Sequence, residues 1–220
     1  LGSIWQGLID ILAATLTFFN AYVHSYGVAI ILLTVAVRIF ILPLTIKQTK
    51  SMYEMQKLQP KLKELQEKYK DNKEKLQQEM MKFYSENKVN PFGGCLPLIL
   101  QLPIFFALFR MLLSNKELLN ATSLGLQLGL KPSLALAHGV VVFIPYLILI
   151  ILMAVTTYLP QKMMATDAQQ QKMGLYMVPL MVFFAWSLPA GVLIYWVTTN
   201  IWTIAQQYIT LRLAKTSEVS

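Results

Sequence analysis

YGVAIILLTVAVRIFILPLTI, residues 26–46, is the stretch that decides the class of this chain. A bilayer core of about 30 Å needs roughly 20 apolar helical residues, and this run is long enough. Within Val28–Leu44 the apolar sequence is broken by Thr34 and by one charge, Arg38. The rest of the 220 residues agrees: 55% are hydrophobic and 14% charged, against about 25% charged in soluble domains. Mean hydropathy is +0.51. A water-soluble enzyme is excluded on composition before any motif is read.

Moving outward, Gly94–Ser114, His138–Leu159 and Met173–Ile209 are the other long apolar stretches. The last is too long for one helix, and Leu188-Pro189-Ala190-Gly191 breaks it, because Pro and Gly together mark a tight turn. Five spans result. Their orientation follows the placement of Lys and Arg. Lys47–Asn90 holds 11 lysines, Pro160–Lys172 adds Lys162 and Lys172, and the tail adds Arg212 and Lys215. With five spans these segments share one side, leaving Lys116 and Lys131 on the other. The N-terminus is expected outside and the C-terminus in the cytoplasm of a multi-pass protein.

Arg38 then lies about 12 Å from the cytoplasmic end of its span, at ~1.5 Å per residue. A guanidinium at such depth costs roughly 2.5–3.5 kcal/mol on insertion scales. A carboxylate partner would offset this, but no Asp or Glu occurs in any of the five spans. Solvent is the remaining compensation. Arg38 is expected to face a hydrated cavity open to the cytoplasm, with Thr34, Gln101, Thr198, Asn200 and Gln206 available to line it. Thr34 is one helical turn away on the same face. The alternative is a structural Arg38 bonded to backbone carbonyls.

Five segments flank and include the spans. Residues 1–25 place Ile4, Leu8, Leu12, Leu16 and Phe19 on one helical face, and Ser3, Gln6, Asp10, Ala13, Thr17 and Asn20 opposite. This suits an amphipathic helix lying in the membrane interface, with a sixth span as the alternative. The first span is 26–46. Within 47–90, Met52, Met55, Leu58, Leu62, Leu65 and Tyr69, then Leu76, Met80 and Phe83, recur at helical spacing. Lys70-Asp71-Asn72-Lys73 is polar enough to turn, so a cytoplasmic helical hairpin is expected. That loop ends at Asn90-Pro91-Phe92-Gly93-Gly94. Spans two to five fill 91–209, and 210–220 form a short tail. Methionines gather at cytoplasmic positions, including Met52, Met55, Met80, Met81, Met163 and Met164. Either core filling or an adaptable surface for hydrophobic segments accounts for them. The sequence given starts on Leu1, as a trimmed end or an expression scar would.

Catalytic and cofactor signatures are missing. There is no His–Glu zinc pattern, G-x-S-x-G or P-loop. The histidines, His24 and His138, both fall near the outer side, and Cys95 has no nearby His. No metal, cofactor or enzyme activity is expected, and no direct nucleic-acid binding.

Several landmarks in order carry a resemblance. Val37-Arg38-Ile39-Phe40-Ile41-Leu42-Pro43-Leu44 with Lys47-Gln48 resembles the first core helix of the YidC family of membrane protein insertases. Leu58-Gln59-Pro60-Lys61 and Gln78-Glu79-Met80-Met81 are similar to its cytoplasmic hairpin. Gly93-Gly94-Cys95-Leu96-Pro97 and Gln101-Leu102-Pro103-Ile104-Phe105 resemble its second core helix. Gln161-Lys162-Met163, Leu188-Pro189-Ala190-Gly191 and Tyr195-Trp196 match later ones. The resemblance implies an all-α polytopic membrane protein with five transmembrane helices around a hydrophilic groove, closed to the outside. It implies that Arg38, in the groove, receives polar substrate segments. Trp196 stands where many members have tyrosine. The sequence lacks the large periplasmic domain of Gram-negative members, so the short form is expected. Its tail, Arg212–Ser220, carries two basic residues, which weighs against ribosome docking there.

The expected function is an insertase and chaperone that takes hydrophobic segments with polar or acidic flanks from the cytoplasm into the bilayer. Arg38, Thr34, Gln101, Trp196 and Asn200 form the expected substrate site. Partners are nascent membrane proteins and the lipid bilayer, with the Sec translocon and ribosome left open. A small-solute transporter or channel is the alternative.

Overall fold

The computed structural model describes residues 2–87, 96–165 and 168–219. Asn90–Gly94 and Cys95, singled out above, lie outside these. The described chain is helical apart from one two-stranded hairpin. Helix α1 is Gly2–Val23, α2 Tyr26–Lys68, α3 Lys73–Glu86, α4 Leu96–Ser114 and α5 Lys116–Asn120. The strands β1 (Thr122–Ser123) and β2 (Leu126–Gln127) follow. Then come α6 Pro132–Ala137, α7 Val140–Met164, α8 Ala168–Ala185 and α9 Ala190–Val219. By length and composition α1, α2 and most of α7 could cross a membrane, while Gln101–Ser114 and Gly174–Ala185 are shorter apolar helices.

The first span and the first half of the hairpin are one continuous helix of 43 residues. Pro43 and Pro60 lie inside it. The chain turns after Tyr69, where Asn72 caps α3 by accepting a bond from the Lys75 N–H at 3.0 Å. Asn is suited to this because its short side chain reaches an orphan N–H of the first turn.

Helices α2 and α9 form the most extensive helix–helix contact. Along α2, Thr34, Arg38, Thr45 and Thr49 are spaced 4, 7 and 4 residues apart; along α9, Tyr195, Thr199, Gln206 and Thr210 repeat that spacing. At ~3.6 residues per turn each set forms one stripe. The threonines of both stripes are buried, and Gln206 Nε2 donates to Thr45 Oγ1 at 2.8 Å. Small polar residues let helices approach closely and bond across an apolar medium.

One end of the bundle is covered by the connection between α4 and α7. Leu124 and Gly125 have positive φ, 56° and 75°, the two-residue turn that fits the strand twist and that glycine takes without strain. Ser123 Oγ pairs with Ser25 Oγ at 2.7 Å. Tyr146 Oη accepts from the Gln127 N–H at 2.9 Å. The first N–H groups of α9, from Ala190 and Gly191, donate to the carbonyls of Leu130 and Leu128. Those groups would otherwise lack helical partners. Leu118, Leu126 and Leu128 bury beneath this cap.

Helix α1 packs on α2 and α4, burying Ile9, Leu12 and Leu16. Its N-terminal half, at Gln6 and Asp10, shares a cleft with Arg110–Glu117 at the end of α4. Its C-terminal end joins α2 beside Ser123. Both ends of α1 therefore adjoin the same end of the bundle. Ile4, Ile11, Phe18 and Tyr22 form an exposed apolar stripe. Another covers α7, through Val141, Ile144, Ile148, Ile151 and Val155, and α8 exposes Tyr176, Leu180 and Phe183. Apolar faces this extended require a nonaqueous covering.

Candidate functional site

Residue types and helix register bring three side chains together at mid-span. Arg38 Nη2 donates to Gln101 Oε1 at 2.9 Å, joining α2 to α4. The Gln101 amide donates in turn from Nε2 to Tyr195 Oη on α9. The two bonds fix which end of the amide faces which partner. Arg38 is half-buried, and Tyr195 is 3% exposed. Among the described residues no carboxylate pairs with Arg38. A guanidinium has five N–H donors, and Gln101 takes one of them. The site thus keeps its positive charge and most of its donor capacity.

Aromatic rings stand beside this chain of bonds. Phe105 meets the Trp196 ring edge-to-face at 5.4 Å and lies 6.4 Å from the Tyr195 ring. It stacks on Phe109 at 5.9 Å. The resulting wall is apolar with two polar edges, the Tyr hydroxyl and the Trp N–H.

The other expected residues occupy different places. Thr34 is 1% exposed and its hydroxyl donates to the Ile30 carbonyl at 2.7 Å. Thr198 likewise bonds back to Ile194 at 2.7 Å. Asn200 Nδ2 donates to Thr157 Oγ1 at 2.9 Å, tying α9 to α7. Gln206 lies on the α2 seam described above. Trp196 is half-buried against Phe105, one residue from the phenol that bonds Gln101. Arg38 and Gln101 are brought together; Thr34, Trp196 and Asn200 form no bond with them. Tyr195 is the residue that sequence reasoning passed over as a landmark. Its place at the head of the Tyr195, Thr199, Gln206, Thr210 stripe is the signal that finds it.

The extension of α2 is tethered to α7 well away from this site, about 27 Å along the helix from Arg38. Gln56 Nε2, on the extension of α2, lies 3.2 and 3.3 Å from the carbonyls of Met163 and Ala165 at the end of α7. These are carbonyls that a helix end leaves open.

Comparison with known proteins follows this geometry. A family model described as 60Kd inner membrane protein matches residues 18–217. The chain is 44% identical over 205 residues to the membrane protein insertase YidC of Caldanaerobacter subterraneus subsp. tengcongensis, covering 93% of this chain and 94% of that one. It is 37% identical over 211 residues to the insertase of the same name from Fusobacterium nucleatum, covering 95% and 97%. The like-named protein of Geobacter sulfurreducens is 40% identical over 206 residues, but the match spans only 37% of its length. Among solved structures, the crystal structure of an active YidC insertase with its first transmembrane domain resolved is similar, with a TM-score of 0.68 and 27% identity. That match covers 92% of this chain and 45% of the other.

Proposed function

The chain belongs to the 60Kd inner membrane protein family, the YidC insertases, and from that premise we propose that Arg38 receives the polar flank of a nascent membrane protein in a hydrated groove open to the cytoplasm. The observation that carries this reading is the Arg38–Gln101–Tyr195 chain: a mid-span cation held by a neutral amide instead of an acid. A neutral holder orients the guanidinium while leaving its charge to attract an acidic flank, and attraction strengthens as water thins out. Proteins of this family are insertases and not catalytic enzymes, and this one is an inner-membrane, multi-pass protein.

The proposed sequence of events uses the elements in order. The Met-bearing arm formed by α2 and α3 captures a hydrophobic segment on the cytoplasmic side. Its polar flank enters beside Arg38, Gln101, Tyr195 and Trp196. The apolar part moves along the exposed faces of α7 and α9 into lipid, where burial of apolar surface drives release. Asn200 serves this site by tying α9 to α7, and Thr34 by its small, buried side chain in the α2–α9 seam. The cap at residues 115–139 blocks the opposite end, which favours insertion over a solute pore. The excess of lysines on the arm favours N-terminus outside and C-terminus inside. The position of α1 across one end of the bundle favours an interfacial helix there. The Sec translocon and ribosome are candidate partners for delivering the segment.

The test is reconstitution in liposomes with a single-span substrate bearing an acidic outer flank. Arg38→Ala is expected to cut insertion on the order of tenfold, the scale of one charge-assisted hydrogen bond, and Arg38→Lys to retain most of it. Equal loss in both variants would point to a bidentate structural role and overturn the reading.

A further inference from the structure

A cleft of about 730 Å³ lies between α1 and the end of α4, outside the Arg38 site. It is an open depression and not an enclosed pocket. Two cations, Arg110 and Lys116, and two acids, Asp10 and Glu117, line it. Among the described residues no ion pair within 4.0 Å joins them. Asp10 accepts from Gln6 Nε2 at 3.0 Å and Glu117 from the Tyr26 hydroxyl at 2.9 Å. Neutral donors thus hold both carboxylates. The floor is apolar, with Ile9 at 8% and Met111 at 3% exposure.

The two pairs of charges together select the ligand. A simple anion would meet Asp10 and Glu117, and a simple cation would meet Arg110 and Lys116. A ligand carrying phosphate and ammonium answers both pairs. At ~100° per residue, Gln6 and Ala13 lie on α1 far round from the stripe Ile4, Ile11, Phe18 and Tyr22, and Asp10 lies on its flank, about 105° away. If that stripe meets acyl chains, the cleft sits among headgroups. We infer that the α1–α4 cleft binds the headgroup of a zwitterionic phospholipid, with phosphate on Arg110 and Lys116 and ammonium on Asp10 and Glu117. This rests on the interfacial placement of α1 and is independent of the role of Arg38.

The experiment is native mass spectrometry of the whole chain released from nanodiscs of equimolar phosphatidylethanolamine and phosphatidylglycerol. Wild type should retain phosphatidylethanolamine in preference by roughly three- to tenfold, the scale of a few part-exposed charge contacts. Arg110→Gln with Lys116→Gln should abolish retention of both lipids. Asp10→Asn should shift the preference toward phosphatidylglycerol; it leaves the Tyr26–Glu117 bond in place and so guards against a folding artefact. Wild type without preference, or a ratio unmoved by either variant, overturns the proposal. So does full displacement of the lipid by soluble phosphorylethanolamine at equal concentration, which would assign the cleft to a free metabolite. Insertion activity is a separate readout, so loss of lipid preference and loss of the insertase reading are distinguishable.

Discussion

Arg38 and Gln101 form a pair whose charge can be altered without changing its size. Gln101→Glu would place a carboxylate where the amide oxygen now accepts at 2.9 Å. The resulting ion pair would cancel the field proposed to draw an acidic flank, so insertion of such a substrate should fall on the order of tenfold. Gln101→Leu keeps the cation and should stay closer to wild type. Glu and wild type inserting equally would show that the charge is not used. These two residues were legible in the sequence because each is a polar group in an apolar run. Tyr195 was not, since an aromatic ring in a membrane helix reads as packing until its register is compared with a partner helix. Thr34 shows the converse. Spacing placed it on the face of Arg38, but spacing says nothing of depth, and its hydroxyl turns back to Ile30.

The α2–α9 seam makes a prediction about elements. Thr45→Val removes the acceptor of the Gln206 bond with little change of shape. The expected loss is about 0.6 kcal/mol and at most ~1.7, the measured span for such bonds between membrane helices, read from unfolding in mixed micelles. No loss would mean that Gln206 finds another partner. In the cap, a Cβ on Gly129 would lie 2.5 Å from the backbone oxygen of Leu119. Gly129→Ala should therefore destabilise by about 1–3 kcal/mol, seen as a lower thermal midpoint. On the arm, Gln56→Ala should speed amide exchange around residues 161–165, because it removes the tether to Met163 and Ala165. The helices themselves were readable from hydrophobic period and Pro-Gly breaks. The join of span and arm into one 43-residue helix was not, because the switch from apolar to charged composition reads as a boundary although the backbone need not break there.

At the scale of the molecule, the bundle has one end capped by a bonded loop and another extended by a lysine-rich arm. Lysine placement tells the two ends apart without coordinates. The cap is harder to read. Its hydrogen bonds run from backbone carbonyls of Leu128 and Leu130 to the start of α9, and backbone pairing leaves no mark on side-chain pattern. The same holds for α1, whose amphipathic faces are visible in sequence while its lodging against the end of α4 is a tertiary outcome. The proposed access to Arg38 from the side of the arm rests on this asymmetry. The direct measurement places single cysteines at Arg38, Gln101 and Thr198 in a Cys95→Ser background and labels them with a membrane-impermeant maleimide, a reaction that needs hydrated thiolate. Labelling from the cytoplasmic face alone is the predicted result; labelling from neither face, or from both, would contradict it.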